Sequence, residues 1–150
     1  MKKGIITQSN YIPWKGFFYS LSNVDVFVIY DDMQYTRRDW RNRNIIKTPN
    51  GLKWLTIPVP VKGKCYQSID NTIVADADWA LSHLNIIRQN FTKAPYFHEI
   101  FPWIEEIYLR CSEEQYLSKI NLMFLTEICH LLSIETKIFE SSEYKSVILN

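Results

Sequence analysis

The sequence predicts an α/β fold: an N-terminal βαβ unit with a mostly parallel sheet, then a small strand pair, then a helical second half. Three observations carry that prediction. Gly4-Ile5-Ile6-Thr7-Gln8 and Asp25-Val26-Phe27-Val28-Ile29-Tyr30 are short β-branched and apolar runs of strand length. Between them Trp14, Phe17, Phe18 and Leu21 fall at i, i+3, i+4 and i+7, one face of a helix. Beyond Trp79 the apolar residues keep a helical spacing.

The second run is almost unbroken until Asp31-Asp32, which suits a strand covered on both faces, as parallel strands are. Strand, helix and strand within about 30 residues make a βαβ unit, which closes right-handed. Residues 31–51 read as polar and irregular, ending in the turn signal Pro49-Asn50-Gly51. Residues 52–61 read as a strand whose end Pro58 and Pro60 confine to an edge or a loop, with residues 68–74 as its expected partner. Asp76-Ala77-Asp78 is placed to cap a helix over residues 79–91, with Leu81, Leu84, Ile86 and Ile87 inside. Pro95 separates it from a helix over residues 97–111. A third spans residues 112–132, with Ser112 and Gln115 as a capping box and Leu117, Ile120, Phe124, Ile128 and Leu131 at core spacing. Residues 136–139 read as a last strand, followed by Ser141-Ser142-Glu143. No repeat, linker or low-complexity segment divides the chain, so residues 1–150 are expected to form one domain.

Composition narrows the function. Lys+Arg 17 against Asp+Glu 16 leaves a net charge of +1, which argues against a nucleic-acid partner, since such domains are usually strongly basic. Aromatic residues reach 15%, more than a core of this size calls for, so some are expected to line a site or an interface. Cys65, Cys111 and Cys129 are odd in number and form no CxxC, which argues against a disulfide scaffold or a structural zinc. Cys111 and Cys129 lie in helical apolar patterns and are expected to be buried and inert. Met1-Lys2-Lys3-Gly4 leads into only Ile5 and Ile6 before polar residues, which is no signal peptide, and nowhere do 18 apolar residues run together. A cytoplasmic protein without a membrane span is expected.

Two segments carry candidate chemistry. Gln8-Ser9-Asn10-Tyr11-Ile12-Pro13-Trp14-Lys15-Gly16 follows the first strand, at the sheet edge where open α/β folds hold ligands, ahead of a helix N-terminus. Tyr11 or Trp14 would stack on a base or sugar ring; the plain alternative is a Pro-started helix with its aromatics in the core. The second segment runs from Asp31 to Asn44 and holds Arg37, Arg38, Arg41 and Arg43. Arginine forks bind phosphate bidentately, Asn amides suit sugar hydroxyls, and Trp40 adds a stacking face. Asp31 and Asp32 are placed to hold Mg²⁺ beside a phosphate or to serve as a general base. The alternative is a solvated loop in which Asp39 and its neighbours neutralise the arginines. His83, His98 and His130 show no metal or triad spacing and are expected to be structural or on the surface. Ser141-Ser142 could reach the same edge.

At these segments the chain resembles the WbqC-like protein family. The likeness rests on Gln8, Tyr11, Pro13, Trp14 and Gly16, on Asp25-Val26-Phe27-Val28 and Asp32-Met33-Gln34-Tyr35, and on Trp40-Arg41-Asn42-Arg43-Asn44. It continues in Leu55-Thr56-Ile57-Pro58-Val59 and Ala94-Pro95-Tyr96-Phe97. Ser9 stands where the family usually has proline, and a Tyr-x-Ser-Gly-type motif of the family's second half is absent, so a truncated member is expected.

The resemblance implies a transferase of bacterial surface-polysaccharide biosynthesis, of the O-antigen or lipopolysaccharide kind. Its substrate would be a sugar nucleotide or another phosphorylated (amino) sugar, with glycine or another acyl group as cargo. On that reading Asp32 and Gln34 are catalytic, Asp32 as general base. Gln8, Tyr11, Trp14, Gly16, Tyr35, Arg38, Trp40, Arg41, Asn42, Arg43 and Asn44 bind substrate, Arg41 and Arg43 at the phosphate. No metal ligands are assigned, and Mg²⁺ is the one cofactor with a stated place. Two other readings stand beside it: a non-catalytic module binding a glycan or a partner protein, and a nucleotide-binding domain of nucleotidyltransferase-like topology. Burial of Trp14, Trp40 and Trp54 discriminates them, because an exposed aromatic patch away from Asp32 favours the module.

Overall fold

In the computed structural model, which describes residues 1–60 and 66–143, the opening βαβ unit forms as its sequence predicts. Strand β1 (Gly4–Thr7), helix α1 (Lys15–Leu21) and strand β2 (Val26–Ile29) follow one another, and β1 pairs with β2 in parallel, Ile5 opposite Phe27. Phe27, Val28 and Ile29 are all buried, because β2 is the middle strand. Its other edge takes the last strand among the described residues, β5 (Lys137–Glu140), again in parallel, giving the order β1-β2-β5.

Helix α1 buries Phe18 and Leu21, but Trp14 does not join them. It precedes the first helical residue with an extended backbone, φ −67° and ψ 158°, so helical spacing does not set its direction. Trp14 is 71% exposed, and its ring lies over Gly16, where a Cβ would sit 1.9 Å from it. Only glycine lets the indole approach that closely.

The strand pair differs from expectation. Strands β3 (Arg43–Thr48) and β4 (Gly51–Thr56) form an antiparallel hairpin, so residues 43–48, read as irregular, are a strand. Gly51 takes φ 109°, the positive value that short hairpin turns ask of glycine, and this returns the chain onto residues 43–48 rather than forward. Residues 68–74 contribute only isolated bridges, Gln34 to Ser68 and Ile73 to Tyr116. Val61 and Cys65, which figured in the sequence reading, lie outside the described residues.

Among the described residues the long helices that follow are α2 (Trp79–Phe91), α3 (Phe97–Ser112) and α4 (Leu117–Leu131). The expected capping details shift. Asp78 sits at the N-cap of α2 but makes no side-chain cap; instead the Asp76 carboxylate accepts the Asp78 N–H at 2.9 Å. Ser112 ends α3, its hydroxyl donating to the Leu109 carbonyl, and so cannot cap α4. Tyr116 is the N-cap of α4 and gives no side-chain cap. Glu114 accepts the N–H groups of Gln115 and Tyr116 just ahead of the helix, and the Leu117 N–H donates to the Thr72 carbonyl. Leu81 and Leu131 keep helical spacing yet face solvent, each 51% exposed, at the edge of the apolar stripe.

The core divides in two, with α4 as the shared wall. Phe124 packs with Leu84, Phe101, Ile107, Tyr108, Leu55, Ile57 and Ile69, whereas Leu125 packs with Phe18, Leu21, Phe27, Ile29 and Cys129. Cys111 and Cys129 are buried free thiols, as expected, and burial pushes Cys111 up to about 12. No helix among the described residues is long and apolar enough to cross a membrane.

Candidate ligand-binding site

The loop after β1 is held by a buried polar network. Asp31, at the end of β2, is 3% exposed and accepts the Ser9 N–H at 2.8 Å and the Ser118 hydroxyl. From α4 the Asn121 amide donates to the Ser9 hydroxyl at 3.0 Å and to the Arg41 carbonyl at 2.9 Å. Arg41 in turn donates to the Ser9 carbonyl at 3.0 Å and to the side chains of Gln8 and Asn10. Its side chain is 14% exposed, with the Asp39 carboxylate at 3.8 Å. Asn44 donates to the carbonyls of Tyr11 and Ile12. A loop pressed against the core has carbonyls that no ladder satisfies, and these side chains satisfy them. Asp31, Gln8, Arg41 and Asn44, expected at a ligand, therefore spend bonding groups inside the protein, while Arg41 Nε and Asn121 Oδ1 stay buried without a partner.

Tyr11 lies deeper still. It is 1% exposed, with Trp79 and Phe124 edge-on at centroid distances of 6.3 and 5.5 Å, so it has no face to offer a ligand ring. Its hydroxyl meets His83 Nδ1 at 2.9 Å and the Tyr108 hydroxyl, and His83 Nε2 meets the Thr56 carbonyl at 3.2 Å. The carbonyl can only accept, so Nε2 carries the proton, Nδ1 accepts from Tyr11, and Tyr11 accepts from Tyr108. Burial drives the His83 ring down to about 4 and raises both phenols, Tyr11 and Tyr108. The histidine is structural, as the sequence suggested.

Two cavities hold Asp32, Tyr35, Arg38, Asn42 and Arg43 among the remaining candidates. The first, about 190 Å³, opens beyond the C-terminal ends of β2 and β5 and is lined by Asp31, Asp32, Asp70, Ser118, Lys119, Glu140, Ser141 and Ser142, with Ile29. Asp32 accepts the Ser141 hydroxyl at 3.0 Å, and Lys119 donates to Glu140 at 2.7 Å. Ser141-Ser142 does reach this edge. Gln34 is exposed nearby in sequence but does not line this cavity. Among the described residues no three His, Cys, Asp or Glu side chains are grouped to hold a metal.

The second cavity, about 390 Å³, lies beside the hairpin and is lined by Tyr35, Arg37, Arg38, Asn42, Arg43, Thr56, Pro58 and Val59. Every charged residue on its wall is an arginine. Arg43 Nε and Asn42 Oδ1 are buried without a hydrogen-bond partner, although the Asn42 amide donates to the Ile57 carbonyl at 2.8 Å. Arg43 donates to the Arg38 carbonyl and lays its guanidinium 4.1 Å from the Trp54 ring centroid. Trp54 and Trp40 have centroids 5.6 Å apart. Burial raises the Tyr35 phenol, against the pull of Arg43 and Arg37. Burial also pushes the Asp39 carboxyl up, but the Thr36 hydroxyl, the Trp40 N–H and then Arg41 and Arg43 outweigh it and hold the group below its ordinary value. The structure thus brings together Tyr35, Arg38, Asn42 and Arg43, with Trp40 adjacent through Trp54; Asp32 lines the other cavity, and Gln34, Trp14 and Gly16 line neither.

The model of the WbqC-like protein family matches residues 8–148, nearly the whole chain. This chain belongs to the WbqC-like family. The uncharacterized protein Rv1507c of Mycobacterium tuberculosis is 50% identical over 147 residues, which cover 97% of this chain and 62% of that protein. The chain therefore spans less than two thirds of the relative's length. No solved structure shows a significant match.

Sequence reasoning missed several residues of this WbqC-like chain. Ser118 and Asn121 organise the loop after β1, and their signal was available. They are polar residues three apart among Leu117, Ile120 and Phe124, which marks them as facing inward. Thr56, Pro58 and Val59 line the arginine cavity because β4 pairs with β3, a pairing that the composition of residues 31–51 concealed.

Proposed function

We propose that this WbqC-like chain binds a phosphorylated or nucleotide-linked sugar in the arginine-lined cavity, within a transferase of bacterial polysaccharide biosynthesis. One observation carries the reading. The cavity gathers Arg37, Arg38 and Arg43 with no acid on its wall, and it leaves Arg43 Nε and Asn42 Oδ1 buried without partners. A buried unsatisfied polar group costs about 1–3 kcal/mol, and an anion that reaches such a donor recovers part of it. Phosphate oxygens match the arginines; a sugar hydroxyl matches the Asn42 oxygen.

Asp32 is the proposed proton acceptor, with Gln34 beside it in sequence, and glycine or another acyl group the proposed cargo. A nucleotide-linked donor fits a cytoplasmic place of action. The exposed, touching pair Trp40 and Trp54 favours a second reading, a module that binds its glycan without transforming it.

Thermal denaturation against a panel of sugar nucleotides, sugar phosphates and acyl-CoA species, with and without Mg²⁺, tests the binding. A true ligand at a hundredfold excess over its Kd adds about 2.7 kcal/mol of stability. Arg43→Ala removes that increment; a shift that survives the substitution sinks the cavity as the site. Asp32→Asn separates the two readings, since it abolishes turnover by an enzyme and changes nothing in a binding module.

A further inference from the structure

The hairpin turns one face away from the core. Its register sets Arg43 opposite Thr56, Ile45 opposite Trp54 and Lys47 opposite Leu52, and alternate residues share a face, so these six lie on one side. The other side carries Leu55 and Ile46, packed on the core. On the outward side Leu52 is 75% exposed and Trp54 44%, and residues 43–60 contain no Asp or Glu. Trp40, 49% exposed, comes in from the preceding loop to touch Trp54. Asp39 fixes that approach, since its carboxylate accepts the Trp40 N–H at 2.7 Å and the Thr36 hydroxyl at 2.7 Å.

Arg43 is the wall common to the aromatic pair and the cavity: it lines the cavity while lying over the Trp54 ring. A guanidinium held on an indole and by the Arg38 carbonyl is oriented before any ligand arrives, which lowers the ordering cost of binding.

We propose that Trp40 and Trp54 form the platform on which the flat ring of a phosphorylated ligand stacks, its phosphate lying among Arg37, Arg38 and Arg43. This rests on the phosphate reading of the cavity. The ring is the base of a nucleotide or the apolar face of a sugar, and either offers a face that stacks on an indole. Stacking on an aromatic side chain tolerates any base, because every base has a π-face. Residues 43–60 hold no acid, and the nearby Asp39, whose charge acts on Arg43 and Tyr35, is already bonded to Trp40 and Thr36.

The test is calorimetric titration of UDP, glucose 1-phosphate and inorganic pyrophosphate into the wild type, Trp40→Ala, Trp54→Ala and Arg43→Ala, each variant first shown by its melting profile to fold. The platform predicts that each tryptophan variant weakens a ring-bearing ligand about tenfold while pyrophosphate stays within about twofold. A loss confined to UDP identifies the base as the stacked ring, and one confined to glucose 1-phosphate identifies the sugar. Arg43→Ala weakens all the probes that bind. If the tryptophan variants lose no ring-bearing ligand while Arg43→Ala still weakens binding, the platform is overturned and the cavity stands. If the wild type binds none of the three probes, both are overturned.

Discussion

The two cavities share a short stretch of chain and differ in how their polar groups are employed. At the C-terminal end of the parallel sheet, where open α/β folds place ligands, Asp31 is bonded to Ser9 and Ser118, Asp32 to Ser141, and Lys119 to Glu140. Beside the hairpin, away from that edge, arginines line a larger space and two buried polar atoms lack partners. Topology favours the first place and unmet hydrogen-bonding capacity the second. The second criterion measures what a ligand would gain, which is why the binding proposal follows it. Sequence neighbours differ in what their bonds serve. Asp31 is buried and holds Ser9 and Ser118, while Asp32 is exposed. Arg41 clamps the loop after β1 while Arg43 lines the cavity, each keeping its Nε without a partner.

Breaking that contrast should give its largest effect at Asp31. Asp31→Ala strands the Ser9 N–H and the Ser118 hydroxyl in the core, and we expect about 3 kcal/mol of destabilisation in urea titration. Asp32→Ala, one residue on, is expected to cost less than about 1 kcal/mol. Equal losses would mean that the acidic cavity is one structural unit.

The Tyr11–His83–Tyr108 cluster gives an effect of similar size through pH. His83 is held neutral, with its pKa driven from 6.5 to about 4. The unfolded chain therefore takes up the proton first, so the associated stability is complete above pH 6.5 and is lost as pH falls toward 4. The loss approaches about 3 kcal/mol. A His83→Gln variant should unfold with a flatter pH dependence between these limits, and an unchanged slope would show that other groups govern it.

Next in size is the arginine pair. Arg41→Ala removes bonds to Gln8, Ser9 and Asn10, and should cost about 2 kcal/mol without altering phosphate affinity once the protein is folded. Arg43→Ala gives up a cation–π contact, about 1 kcal/mol, but loses phosphate binding. Stability and affinity thus exchange places over two residues, and chemical denaturation paired with calorimetry reads both.

The smallest effect belongs to Gly16→Ala. The added methyl meets only the exposed Trp14 ring, which can swing aside, so stability should stay within about 0.5 kcal/mol while Trp14 fluorescence changes.

Elements with one dominant demand were legible in the sequence. Strand β2 is apolar because both its faces are covered, and α2 and α3 announce themselves by spacing and by Pro95. Strand β3 was not legible because its residues answer several demands at once. Arg43 faces a cavity, Asn44 ties down the carbonyls of Tyr11 and Ile12, and Ile46 packs on the core, so no two-residue alternation of apolar and polar emerges. Within the candidate site, residue types were readable and their employment was not. An arginine that clamps a loop and one that lines a cavity look alike until the partners are known. Trp14 shows the opposite failure, since its spacing fits the helix face but its backbone precedes the helix.

The parallel pairing of β2 with β5 has a consequence for how the molecule is made. Val26 lies opposite Lys137, and the Thr136 hydroxyl closes onto the Leu21 carbonyl, 115 residues away along the chain. Such a contact forms only after a long loop has been closed, and closure of this kind slows folding. While the polypeptide is emerging from a ribosome, β1, α1 and β2 are made early, but the second edge of β2 waits until all three later helices have been synthesised. During that interval Phe27, Val28 and Ile29 border an unpaired strand edge, which is a route to aggregation.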